Sequence, residues 1–234
     1  MTTALESHLV NQLDTAARGF FWHRLRWRAV SRALPRDRAF RLLDLGAGAG
    51  FAGEYLAEEF PLGAYHFVEP LRSLEEKLEA RHGPARNLAA ADTYAGIDAV
   101  ILLDVLEHQE DDLAFLRALL AKVPAGARVV LTVPALPLLW SDWDRQLGHH
   151  RRYTRATLRR VLAACAVEIE EVSYLFPELV PAGLLRKRSA SAGAEFPTLP
   201  GWLNRALYLA GLPSLLLRRA VPFGSSLLAV VRKP

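Results

Sequence analysis

Short apolar runs alternate with stretches in which apolar residues recur every three or four positions. The runs 41–45 (RLLDL), 65–69 (YHFVE), 97–103 (IDAVILL) and 128–133 (RVVLTV) are too short for helices and too apolar for loops, so they predict buried strands. A weaker strand is expected at 87–91, and two more at 167–175 and 226–232. Helical spacing covers 5–34, stopped by Pro35, and 53–60, stopped by Pro61. It returns at 73–81, at 111–122 before Pro124 and Gly126, and at 154–166, where Thr154 supplies an N-cap. Strands that alternate with helices need crossover connections, which predict an α/β fold: a seven-stranded, mostly parallel sheet with helices on both faces. One domain accommodates the 234 residues. It comprises an N-terminal helical cap (1–40), a core (41–175), an inserted lid or cap (176–224) and a last strand (225–234).

In a parallel sheet of this kind, ligands bind beyond the carboxyl ends of the strands. Four acids fall there: Asp44 after the first strand, Glu69 after the second, Asp92 after the third and Asp104 after the fourth. The run LLDLGAGAG places Gly46, Gly48 and Gly50 in a tight turn that lets backbone approach a ligand closely. Glu69 is positioned to accept hydrogen bonds from ribose hydroxyls. Gly48-Ala-Gly50-Phe-Ala-Gly53 also satisfies the G-x-G-x-x-G pattern of dinucleotide sites. Asp44 argues against that alternative, because a carboxylate beside the turn suits the cationic amino group of a methionine moiety better than a pyrophosphate.

Taken in order, LLDLGAGAG, YHFVEP and LLDVLEH resemble the first, second and fourth-strand motifs of class I S-adenosylmethionine-dependent methyltransferases, whose sheet is Rossmann-like. The resemblance implies S-adenosylmethionine as cofactor and S-adenosylhomocysteine as product. It implies that Gly46, Ala47, Gly48 and Gly50 wrap the methionine part and that Glu69 holds the ribose. Asp92 and Thr93 would then lie near the adenine, with Leu103, Asp104 and Val105 lining the methionine side. Three further segments resemble a small bacterial subgroup that modifies sugars, cell-surface glycans or secondary metabolites. They are Trp22-His-Arg-Leu-Arg26, the stretch from Asp144 to Tyr153, and Pro222-Phe-Gly-Ser-Ser-Leu-Leu.

Charge adds an asymmetry to this picture. The net charge is +4, yet residues 54–112 hold 14 acids and 4 bases, so the rest carries +14, almost all of it arginine. Basic stretches at 18–41, 145–160 and 186–188 fit either solvated faces or an anionic acceptor. The single cysteine, Cys165, excludes an internal disulfide and is expected to pack within a helix. No secretion signal or membrane span is read, so a cytoplasmic protein is expected. The stretch 202–223 is apolar but broken by Asn204, Arg205, Pro213, Arg218 and Arg219, and suits a lid or peripheral membrane contact.

The acceptor side falls to two groups of residues. His108 follows the fourth strand and can act on the acceptor or hydrogen-bond within its loop, with Glu107 orienting it or capping the turn. In Gly148-His-His-Arg-Arg-Tyr153, His149 is a candidate base, Arg151 and Arg152 candidate anion contacts, and Tyr153 a candidate acceptor or cofactor contact. Trp22 and Arg24 are candidate substrate contacts on the helix before the sheet, or packing residues. No metal site is expected, because adjacent His149 and His150 do not converge on one ion. The expected activity is methyl transfer to a small-molecule, sugar or glycan-like acceptor, O-methylation before N-methylation. A noncatalytic cofactor-binding protein, an RNA methyltransferase and a nucleotide-dependent oxidoreductase stand as alternatives, although no RNA-binding module accompanies the basic segments.

Overall fold

The apolar runs form the strands of one sheet, and the computed structural model describes residues 4–14, 17–187 and 198–234. Six strands lie in the order β2 (Gly63–Val68), β1 (Phe40–Leu45), β3 (Ala99–Leu103), β4 (Arg128–Pro134), β6 (Ser226–Arg232) and β5 (Glu168–Leu175). The first four are mutually parallel, while β6 runs antiparallel to both β4 and β5. Leu42, Leu43, Val100, Ile101, Leu102 and Val130 are fully buried, as strands covered on both faces require.

The seventh strand, expected at 87–91, does not form. Asn87 makes an isolated bridge to Phe67 and nothing beyond it pairs. Its side chain explains why: Oδ1 accepts from Ala89 N at 2.9 Å, which turns the chain away from the sheet. The amide Nδ2 meanwhile donates to Glu75 and Glu79 at 2.7 and 2.9 Å, fixing that turn to the neighbouring helix.

Two cores flank the sheet. On one face pack α5 (Asp112–Lys122) and α7 (Arg155–Ala163), through Leu116, Leu119, Leu158 and Leu162. On the other pack α2 (Phe21–Val30), α3 (Phe51–Glu59) and α9 (Gly201–Leu216), through Leu25, Trp27, Leu56 and Leu215. Cys165 lies just past the end of α7 instead of within it, half-buried against the first core.

The long N-terminal helix expected over 5–34 is broken. An 11-residue α1 (Ala4–Asp14) is separated from α2 by a short turn at Ala17–Gly19. The break is held from far away in sequence. Asn204 Oδ1 accepts from Phe21 N at 2.7 Å, and Asn204 Nδ2 donates to Gly19 O at 2.9 Å. The inserted segment thus contributes α8 (Val180–Lys187) and the helix α9 that packs on α2, and residues 188–197 between them lie outside the described residues. Among the described residues no helix is long and apolar enough to cross a membrane.

Candidate active site

The order β2-β1-β3 places the reversal of strand succession beside β1, so the loops after β1 and β3 diverge there and leave a crevice. Gly46 and Ala47 donate to Val68 O at 2.8 and 3.2 Å, which anchors the first loop to β2. Gly46 and Gly48 have φ of 78° and 56°, the left-handed region where a side chain is strained. A Cβ on Gly46 would stand 2.6 Å from Val105 Cγ2, so the loops after β1 and β3 touch.

Glu69 braces the same loop. Its Oε2 accepts from Gly48 N at 2.6 Å and its Oε1 from Leu71 N at 2.9 Å, leaving each oxygen a further lone pair. Asp44, 2% exposed, accepts from the Tyr65 hydroxyl at 2.9 Å. Burial pushes the Asp44 carboxyl up to about 7, against the opposing pull of Tyr65 and Arg26. The crevice therefore contains a carboxylate that a cation would readily ionise. Leu103 and Val105 are half-buried at the end of β3.

Above this crevice lies α1. Leu9 Cδ2 comes to 3.4 Å of where a Gly48 Cβ would be. Ser73 Oγ, on α4 (Arg72–His82), donates to Glu6 at 2.6 Å, and His8 meets the Trp143 ring edge-on at 5.0 Å. The cap thus spans the loop after β1 and the far wall, where Trp143 sits on α6 (Asp142–Gln146).

The loop after β3 carries the other half of the site. Asp104 holds φ of 59°, unusual for an aspartate, with its N–H donating to Thr132 O at 3.0 Å. Arg26 of α2 donates to Asp104 Oδ2 and stacks over Trp22 at 4.2 Å. Glu107 follows, fully buried, with neither carboxylate oxygen partnered. Burial, reinforced by Asp104, holds its carboxyl well above the usual range. Burial and His149 push the His108 imidazole down to about 4, so it is neutral at pH 7.

Gly148–Tyr153 comes alongside because His150 N donates to Glu107 O at 2.8 Å and Tyr153 bridges to Ala135. The His149 and His108 rings meet edge-to-face, 4.7 Å between centroids. His149 Nδ1 lies 2.9 Å from Asp144 Oδ1, and Asp144 is wholly buried. Burial alone would raise the Asp144 carboxyl, but His149 and Arg152 outweigh it and hold the group low.

Several expected contacts land elsewhere. Tyr153 is 2% exposed and donates its hydroxyl to Asp112 at 2.7 Å, which makes it a packing residue. Arg152 donates from Nε to Asp144 at 2.8 Å and from NH1 to Ala135 O at 3.2 Å, so it braces Asp144 against the end of β4. Arg151 pairs with Asp112 at 3.0 Å. Arg24 stacks on Tyr208 at 4.0 Å and lines a cavity of about 550 Å³ with Arg28 and Arg32. Asp92 and Thr93 sit exposed on the loop that replaces the seventh strand. The residues missed by sequence reasoning are Arg26 and Asp144. Arg26 stands four positions after Trp22, one helical turn, and Asp144 opens the motif that carries His149; both were visible as types but not as partners.

A family model described as a methyltransferase domain matches residues 18–171. The chain belongs to that family. Its Rossmann-like sheet is the fold it shares with solved S-adenosylmethionine-dependent methyltransferases. No curated protein sequence matches it. Among solved structures, this methyltransferase is similar to a Haemonchus contortus phosphoethanolamine N-methyltransferase 2 in complex with S-adenosyl-L-methionine. Identity is 17% over 91% of this chain and 53% of that one, with a TM-score of 0.58. The chain thus spans about half the length of that enzyme. A Mesorhizobium loti S-adenosylmethionine-dependent methyltransferase is 17% identical over 89% of this chain and 98% of that one, TM-score 0.56. An Archaeoglobus fulgidus counterpart is 16% identical over 90% and 94%, TM-score 0.54. At these identities the likeness is one of fold. The donor chemistry of the crevice suits S-adenosylmethionine: free lone pairs on Glu69, a buried carboxyl at Asp44, and a glycine turn between them.

Proposed function

We propose that this methyltransferase modifies a hydroxyl group on a small, glycan-like acceptor at the wall built from Glu107, His108 and His149. The observation that carries the reading is the buried Asp144–His149 pair set against the loop after β3. A carboxylate on Nδ1 fixes the ring orientation and leaves Nε2 as the nitrogen able to take a proton. A hydroxyl acceptor needs such help, whereas a neutral amine needs only positioning.

On this reading Asp44 attracts the amino group of the cofactor and Glu69 accepts from its ribose. The loop Gly46–Gly50 bounds the methionine part, and Asp92 and Thr93 border the adenine. Bound S-adenosylmethionine supplies an electrophilic methyl on a sulfonium. Leu103, Asp104 and Val105 line its path, α1 excludes water above it, and Arg26 with Trp22 holds Asp104 in its strained conformation. Arg152 acts through Asp144, as a positioning residue.

One structural relative is a phosphoethanolamine N-methyltransferase, which favours a second reading, an amine acceptor. An acceptor screen with radiolabelled cofactor separates the two. Hydroxyl acceptors should lose about 10²–10⁴ in rate on His149→Ala, whereas amine acceptors should lose far less. Equal small losses for both classes would overturn the base assignment.

A further inference from the structure

We infer that Glu107, His108 and His149 bind a divalent transition-metal ion at the carboxyl end of β3. One ligand atom from each of the three residues lies within 4.8 Å of the other two. His149 and its neighbour His150 do not converge on one ion, but the fold sets His149 against a glutamate and a histidine some forty positions earlier.

Glu107 supplies the independent reason. It is fully buried, and neither Oε1 nor Oε2 has a hydrogen-bond partner. A buried carboxylate without a partner is costly, so such groups are held by a proton, a cation or a metal. Nearby Arg26 is already committed to Asp104, and Arg152 to Asp144. A metal ion satisfies the two oxygens directly.

The imidazoles are arranged as ligands. His149 Nδ1 is held at 2.9 Å by Asp144, which in turn accepts from Arg152 Nε and Ser141 N at 2.8 and 2.9 Å. A histidine fixed on one nitrogen by a carboxylate, with the carboxylate itself hydrogen-bonded, is the outer-shell arrangement that orients metal-bound rings. The His108 ring meets the His149 ring edge-to-face, 4.7 Å between centroids, so the two imidazoles share one space. Two nitrogens and one carboxylate suit Zn²⁺, Fe²⁺ or Co²⁺ better than Mg²⁺ or Ca²⁺, which prefer all-oxygen sets.

Metal–ligand bonds of about 2.0–2.2 Å put donors roughly 3–3.5 Å apart, so the three side chains close in by about 1 Å, within reach of small torsional changes. Three protein ligands leave positions open. With the ion bound, His149 Nε2 is a ligand and no longer a base, and a cation there would itself activate an acceptor hydroxyl at an open position, a consequence that rests on the acceptor reading above. Binding of the ion does not.

The test uses the tag-free full chain, stripped with chelator and titrated with Co²⁺ while visible d–d absorption is followed, and with Zn²⁺ by calorimetry. One ion per chain is expected. Glu107→Gln and His149→Ala should each weaken binding at least 100-fold, and Asp144→Asn by about 10–100-fold. His150→Ala should match the parent. Absence of saturable binding, or parent-like affinity in the Glu107→Gln/His149→Ala double variant, overturns the site. Should the variants fail to fold, Co²⁺ added to the parent must selectively shift the His108 and His149 imidazole resonances, and their remaining unmoved overturns it equally. Adenosylmethionine calorimetry on the same samples keeps the readings apart. Cofactor binding without Co²⁺ binding sinks the metal alone, and Co²⁺ binding without cofactor binding supports the metal and sinks the cofactor assignments.

Discussion

Asn204 of α9 closes the N-terminus of α2 through Phe21: the Phe21 N–H donates to the amide oxygen at 2.7 Å across 183 residues of sequence. The cap comes from the inserted segment, yet it fixes the helix that carries Arg26 and Trp22 to the site. Asn204→Ala should lower stability by about 0.5–2 kcal/mol, the range for a lost N-cap. Urea denaturation reads this directly. An unchanged midpoint would show that the contact adds nothing.

Gly46 combines a left-handed backbone with close approach to Val105. Gly46→Ala should cost about 1–3 kcal/mol of stability and weaken adenosylmethionine binding. Adding Val105→Ala removes the clash but not the backbone strain, so recovery should be partial. Full recovery in the double variant would assign the whole effect to packing.

A pH dependence follows from Asp44. Its folded-state value of about 7 lies above the ordinary 3.8, so the folded chain holds a proton that the unfolded chain has lost between about pH 4 and 7. Stability from this group therefore falls as pH rises through that window and levels off above it. Cofactor affinity should move oppositely, strengthening from pH 6 to 7.5 as the carboxylate ionises opposite the cofactor's amino group. That amino group itself titrates at about 7.7–8, above the window. Calorimetry on Asp44→Asn should give weaker binding with a flat profile, and a parent-like slope in that variant would dismiss the assignment.

Glu171 tests the outer strand. It is 7% exposed, with Arg218 and Arg219 on its oxygens, the closest contact being 2.7 Å. Burial would raise its carboxyl, but Ser173 and the two arginines outweigh burial and hold it below the usual range. Its contribution is present above the ordinary carboxylate pKa and lost as pH falls through the lowered value. Glu171→Gln should cost about 1–3 kcal/mol, chiefly because it leaves the mostly buried Arg218 guanidinium uncompensated, whereas Arg219 is exposed to solvent. Thermal melts at pH 7 and pH 3 should show the parent–variant gap shrinking in acid.

Arg152 distinguishes support from contact. Arg152→Ala should lower kcat through Asp144 and His149 while leaving the acceptor KM within a few-fold of the parent. A large rise in KM, together with inhibition of the parent by phosphate, would instead place Arg152 on an anionic acceptor.

The sequence by itself determined the strands and the loop after β1. Apolar runs such as 97–103 need burial wherever they lie, and Gly46, Gly48 and Asp44 are neighbours along the chain, so their meaning is local. Glu69 was legible for a similar reason, since β2 pairs with β1 residue for residue. The missing seventh strand was not, because an Asx turn at Asn87 competes with strand pairing through side-chain bonds that periodicity does not register. Nor was the helix break after Gly19, which depends on an asparagine far along the chain. Only the tertiary structure decided the pairings around the loop after β3: Arg26 on Asp104, Asp144 on His149, and Glu107 left unpartnered beside both histidines. Those contacts join separate elements, and the side chains making them are the same types that elsewhere in this chain form solvated faces. Residue type limits what a side chain can do, but burial and partners choose among those possibilities, and both are properties of the folded chain.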